Sequence, residues 1–110
     1  MFRQRKLPLA ALPVLVGAGL LANPAAQGQT AQALATRSLA ASCAGCHGTD
    51  GQPAQGSAIP GLAGLPRDYL AAQMLAFKEG TRPATVMQQL AKGYSAEQID
   101  ALATYFSTRR

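Results

Sequence analysis

Tryptophan is absent, and histidine occurs once in 110 residues. Cysteine occurs twice, three positions apart, so a bridge between the two would close a tiny loop that stabilises a fold little. The acidic side chains number five. No paired carboxylates, no nucleophile with a base and no second histidine stand out, so catalysis by this chain alone is not expected. Large apolar residues are also scarce. From residue 27 to 110 there are one Val, two Ile, eight Leu, two Met and two Phe, 15 in 84 positions. The nominal 48% hydrophobic content is carried largely by 23 Ala. A domain this small is marginal unless something else helps. These shortages exclude a large enzyme and a multidomain protein. They also argue against a domain held by side chains alone and call for a staple: a disulfide, a metal or a cofactor.

What is present begins with charge. Ten basic residues against five acidic give +5, and a basic small protein invites a nucleic-acid reading. The distribution argues against it. Arg3, Arg5 and Lys6 precede an uncharged run from Leu7 to Ala22, followed by Asn23, Pro24, Ala25 and Ala26. Basic, apolar, then small is the order of a secretory signal over residues 1–26, with cleavage expected between 26 and 33. The alternative is a membrane anchor, but a span needs ~20 apolar residues and this shorter run contains Pro8 and Pro13. Without residues 1–26 the chain has seven basic and five acidic side chains, or +2. No nucleic-acid partner and no stable membrane span are expected. Arg67, Lys78, Arg82 and Lys92 remain, either as a face for an acidic redox partner or as an ordinary solvated surface.

The expected class is all-α, with three to four short helices over residues 31–110. Ala31 to Ala44 reads as an Ala-rich helix with Ala35, Leu39 and Cys43 on one face. Gly48 to Gly64 is a loop rich in Gly and Pro. Pro66 opens a second helix at its first position, with Leu70, Met74 and Phe77 as its stripe and Gly80 as its stop. Pro83 to Ala91 reads as a short helix or an ordered loop. Ser95 and Gln98 form a capping box for a last helix with the stripe Ile99, Leu102, Tyr105 and Phe106. Strand signals are nearly absent: three Val or Ile in the processed region, and no alternation.

Both cysteines and the histidine lie in Cys43-Ala44-Gly45-Cys46-His47. Two thiols three positions apart on a helical turn can add to the two vinyl groups of one haem. The adjoining His is then held beneath the iron as its proximal ligand. Ala44 and Gly45 are small enough for a porphyrin edge to approach the backbone. A thioredoxin-like dithiol would need strands, which are missing. A structural zinc would need four ligands, and Cys and His together supply three. A structural disulfide fits an exported protein but would stabilise it little. Covalent haem c is the reading that fits. With no second His, the other axial ligand is expected to be a methionine, which raises the reduction potential. Met74 sits in a helical stripe, the pattern of a core residue. Met87 lies in Arg82-Pro83-Ala84-Thr85-Val86-Met87, a segment free to present a side chain to the far haem face, and is favoured.

These residues resemble the class I c-type cytochromes over about residues 35–110. The resemblance rests on Cys43 to Gly48, Ile59-Pro60-Gly61-Leu62-Ala63-Gly64, Tyr69-Leu70 and Phe77-Lys78-Glu79-Gly80. It continues in Val86-Met87, Ala91-Lys92-Gly93-Tyr94-Ser95 and Ala103-Thr104-Tyr105-Phe106. It implies a small cytochrome c fold around one haem, with His47 and Met87 on the iron. It also implies that the Pro60 carbonyl accepts the Nδ1 proton of His47. Within the class, Thr85-Val86-Met87 and Ala91 to Ser95 look like the cytochrome subunit of flavocytochrome c sulfide dehydrogenase. Several members of that group carry two haem domains, whereas this chain has one C-x-x-C-H and is expected to be monohaem. The resemblance implies a periplasmic single-electron carrier fed by a redox partner such as a flavoprotein. A haem sensor or peroxidase-like protein with a labile sixth ligand is the alternative. Tyr69, Gln73 and Tyr94 are candidates to pack on the haem or bond to it, or to be plainly structural.

Overall fold

The computed structural model describes residues 24–110. The expected signal lies outside them except for its last three residues. The described residues form five α-helices and one 3-10 turn, and no strand. The helices are α1 (Pro24–Ala41), α2 (Ala44–His47), α3 (Arg67–Glu79), α4 (Met87–Lys92) and α5 (Ala96–Ser107). The 3-10 turn, Thr49–Gly51, follows α2, and residues 52–66 contain no regular element. The class is all-α, as the sequence predicts. Five helices appear where three or four were expected, because α2 is a single turn and the 83–91 segment becomes helical from Met87.

α1 already runs from Pro24, the first described residue, seven residues before the expected Ala31. The Ala- and Gln-rich residues of this stretch have good helix propensity. Its buried face is also shifted. Ala35 is exposed and Ala40 is buried, so Ala40 rather than Ala35 joins the core.

α3 begins at Arg67, with Pro66 at the cap instead of inside the first turn, and Leu70 N–H bonds back to the Pro66 carbonyl at 3.0 Å. Gly80 ends it in the left-handed conformation, φ 77°, as a helix-terminating glycine should. α5 opens on the expected box. The Gln98 N–H donates to Ser95 Oγ at 3.2 Å, and the Ser95 N–H donates to Gln98 Oε1 at 2.9 Å.

α5 is the hub, packing against α1 and α3, while α3 also packs against α4. Ala40, Leu70, Leu102, Ala103 and Phe106 form the buried cluster, with Leu39, Leu62, Leu65 and Tyr94 around it. Ile99 and Ala91 are also buried. Tyr105 of the expected stripe is half-buried and meets Phe106 edge-on, while Ala103 takes the deeper place. Among the described residues, only Leu70, Ile99, Leu102 and Phe106 of the buried core are larger than alanine. The core is as thin as the composition implies.

Candidate functional site

The Cys43–His47 segment begins where α1 stops. Ser42 and Cys43 N–H groups bond to the carbonyls of Leu39 and Ala40 at 3.2 and 3.1 Å. The chain then makes one further turn, with His47 N–H on the Cys43 carbonyl at 2.9 Å and Gly48 N–H on that of Ala44 at 3.0 Å. Cys43 caps this turn, half-buried, and Cys46 lies exposed within it. Both thiols are free, so no disulfide joins them. Burial pushes the Cys43 thiol above its ordinary pKa.

The chain must leave α2 sharply to bring the following loop back over His47. Gly48 makes the exit, at φ 80° and ψ 162°, a region essentially reserved for glycine. A Cβ there would lie 1.9 Å from the Gln52 carbonyl oxygen. Gly51, buried at φ 78°, accepts the N–H groups of Leu62 and Ala63 at 2.8 and 3.2 Å and presses against Phe106. This folded loop sets the Pro60 carbonyl oxygen 2.7 Å from His47 Nδ1. A carbonyl only accepts, so Nδ1 carries a proton, and the neutral ring has its lone pair on Nε2. Cys43, Cys46, His47 and Pro60 therefore come together at one place. A carbonyl partner also fixes the ring plane and makes Nε2 a stronger donor.

The two methionines sit on separate elements. Met74 is half-buried in α3, and Met87 is the first residue of α4, also half-buried. The segment before α4 is not a free loop. The Arg82 N–H bonds to the Ala76 carbonyl at 3.1 Å, and Gln88 Nε2 bonds to the Arg82 carbonyl at 2.9 Å. The Arg82 guanidinium lies over the Phe77 ring, 4.6 Å from its centre, and also bonds to Gln73 Oε1.

Other polar side chains have structural employment too. Arg67 pairs with Asp68 and Asp100, and Lys78 donates to the Tyr94 carbonyl. Three of the four scattered basic residues thus hold the fold together. Sequence reasoning missed the Tyr105 hydroxyl donating to Asp50 and the Tyr94 hydroxyl lying 2.9 Å from Ser42 Oγ. Both pairs span more than fifty positions, and no local spacing signals such a contact.

The site fits a flat, largely apolar group. A Cβ at Gly45 would meet no protein atom within 4 Å, so open space lies beside the cysteine turn. Beside Pro60 and Met87 stand Ile59 and Val86, 41% and 54% exposed, and Leu90 lies one turn beyond at 48%. Large side chains this exposed are unusual in a chain with so few of them, and they offer apolar surface to whatever lies between these segments. Among the described residues no group of three or more His, Cys, Asp or Glu is arranged to enclose a bare metal ion. The turn's chemistry is therefore that of two free thiols and one oriented imidazole.

Comparison with known proteins agrees with this chemistry. The family model for cytochrome c matches residues 31–109. The cytochrome subunit of sulfide dehydrogenase from Chlorobaculum tepidum is 41% identical over 103 residues, covering 89% of this chain and 92% of the relative. A thiosulfate dehydrogenase electron acceptor from Thiomonas intermedia is 50% identical over 68 residues, covering 62% of this chain and 31% of the relative. Cytochrome c-552 from Acidithiobacillus ferridurans is 41% identical over 66 residues, 60% of this chain and 28% of the relative. The chain thus spans nearly the whole of the first relative and less than a third of the other two.

Proposed function

This chain belongs to the cytochrome c family, and on that premise we propose a periplasmic carrier of single electrons, fed by a flavoprotein dehydrogenase of the sulfide-oxidising kind. The observation that carries the reading is the His47 ring, bonded through Nδ1 to Pro60 at 2.7 Å and adjoining two free thiols. Haem c, when bound, supplies a one-electron ferric–ferrous couple.

The rest is done by this chain's own residues. Cys43 and Cys46 hold the group through thioethers. His47 presents Nε2 to the iron, and the Pro60 carbonyl keeps that nitrogen aimed and electron-rich. From the start of α4, Met87 would hold the iron through its thioether, a ligand that raises the reduction potential. With His47 and Met87 both holding the iron, no position would be left for a substrate, so the protein would pass electrons without catalysing a reaction. Ile59, Val86 and Leu90 exclude water from the apolar faces. The basic and apolar start of the sequence directs the chain to export, and residues 31–110 are the working domain.

The partner follows from similarity along nearly the full length of a sulfide dehydrogenase cytochrome subunit. The test is anaerobic mixing of the ferric protein with a flavoprotein sulfide dehydrogenase that has been reduced by sulfide. One ferrous haem should appear per chain, at a rate that rises with flavoprotein concentration. Absence of reduction there, with ready reduction by a thiosulfate dehydrogenase, would reassign the donor.

A further inference from the structure

Tyr94 stands in the three-residue link between α4 and α5, seven positions after Met87. It is half-buried and packs against the main core cluster. Three contacts tie it to three different elements. Its N–H bonds to the Ala91 carbonyl at 3.2 Å, which joins it to α4. Its carbonyl accepts the ammonium of Lys78 from the end of α3. Its hydroxyl lies 2.9 Å from Ser42 Oγ, and Ser42 is the residue immediately before Cys43. Ser42 Oγ donates its own proton to the Leu39 carbonyl at 2.7 Å, so the Tyr94 hydroxyl is the donor of the pair.

The geometry points to Tyr94 as a positioning residue: its hydroxyl bond to Ser42 ties the link that follows the Met87 helix to the residue before Cys43, and so holds Met87 where its thioether would serve the haem iron. α4 is only six residues long and would be marginal alone, so its place depends on what it is tied to. Its own first turn has no side-chain cap. The Tyr94–Ser42 bond is a direct polar tie between the methionine side of the site and the thiol side. Tyr94 touches no reacting atom; it acts through the position of α4. The inference rests on the reading of Met87 as axial ligand.

The experiment uses the ferric, haem-loaded protein and imidazole as a probe. Imidazole binds only where the methionine has left the iron, so tighter apparent binding reads a looser methionine. Tyr94→Phe keeps the ring and removes the donor; Ser42→Ala removes the acceptor. Each should raise the apparent imidazole affinity about three- to tenfold, the loss of one ordinary hydrogen bond. The double variant should match the singles instead of multiplying them, and Ser42→Thr should restore the wild-type value.

A lower denaturant midpoint with unchanged imidazole affinity would mean a merely structural bond and overturn the proposal. Additive effects in the double variant would overturn it as well. Met87→Ala separates the layers. If the far-red sulfur-to-iron band survives in that variant, the ligand reading fails and this inference with it. If the band is lost but Tyr94→Phe binds imidazole as wild type does, only the positioning role fails.

Discussion

Met74 and Met87 are chemically equal, and each is half-buried, so their roles are decided by what surrounds them. Met74 shares α3 with Leu70 and Phe77, whereas Met87 stands at the first turn of α4 beside an exposed Val86. Met87→Ala should therefore abolish the far-red sulfur-to-iron band of the ferric protein and lower the reduction potential. Met74→Leu, nearly isosteric at a half-buried position, should cost less than about 1.5 kcal/mol and leave the band intact. Ferric spectra and potentiometry of the two variants check this, and the reverse pattern would exchange their roles. At this scale the sequence is highly legible where chemistry is local. Two thiols and an imidazole within five positions announce themselves. Gly48 announces little, because its need for glycine comes from the Gln52 carbonyl that the loop folds onto it. Tyr94 and Tyr105 are legible only as aromatic residues, since their partners, Ser42 and Asp50, lie across the fold.

Among the elements, α5 is specified most completely by its own residues. Ser95 and Gln98 cap it reciprocally, and Ile99, Leu102, Ala103 and Phe106 bury one face. Ser95→Ala should cost about 1 kcal/mol in a denaturant titration of the haem-loaded protein. Glu97, in the same first turn, is held below its ordinary pKa of 4.5, chiefly by the Ser95 hydroxyl bonding to its ionised form and then by its own backbone N–H. Its contribution is complete above pH 4.5 and is lost as pH falls through the lower folded value. The stability difference between wild type and Glu97→Gln should thus shrink on acidification below that point. A difference that is constant from pH 7 to pH 3 would contradict this. α1 and α4 are less legible. α1 runs seven residues further upstream than its apolar spacing suggests, because helix propensity carries the backbone where no burial is needed. α4 combines a proline-containing approach with a short helical core, and Gln88 bonds back to the Arg82 carbonyl at its start.

For the whole molecule, the shortage of large apolar residues and the thinness of the core are one fact seen twice. Among the described residues four side chains larger than alanine are buried, while Ile59, Tyr69, Val86 and Leu90 stand exposed. Class and helix order follow from composition and punctuation, but the balance between buried and exposed apolar surface does not. That balance depends on a group the chain encloses without encoding its volume. The chain without attached haem, as in Cys43→Ser with Cys46→Ser, should therefore retain helical far-ultraviolet dichroism but lose fixed tertiary structure, seen as collapsed amide dispersion in NMR spectra. A well-dispersed native spectrum would show that side chains alone suffice. The account stands most directly on the attachment itself. Its test is the mass of the protein matured with the haem-attachment machinery, intact and after digestion. The account predicts the processed chain plus one haem, carried on the peptide containing Cys43 and Cys46. The mass of the processed chain alone would contradict it.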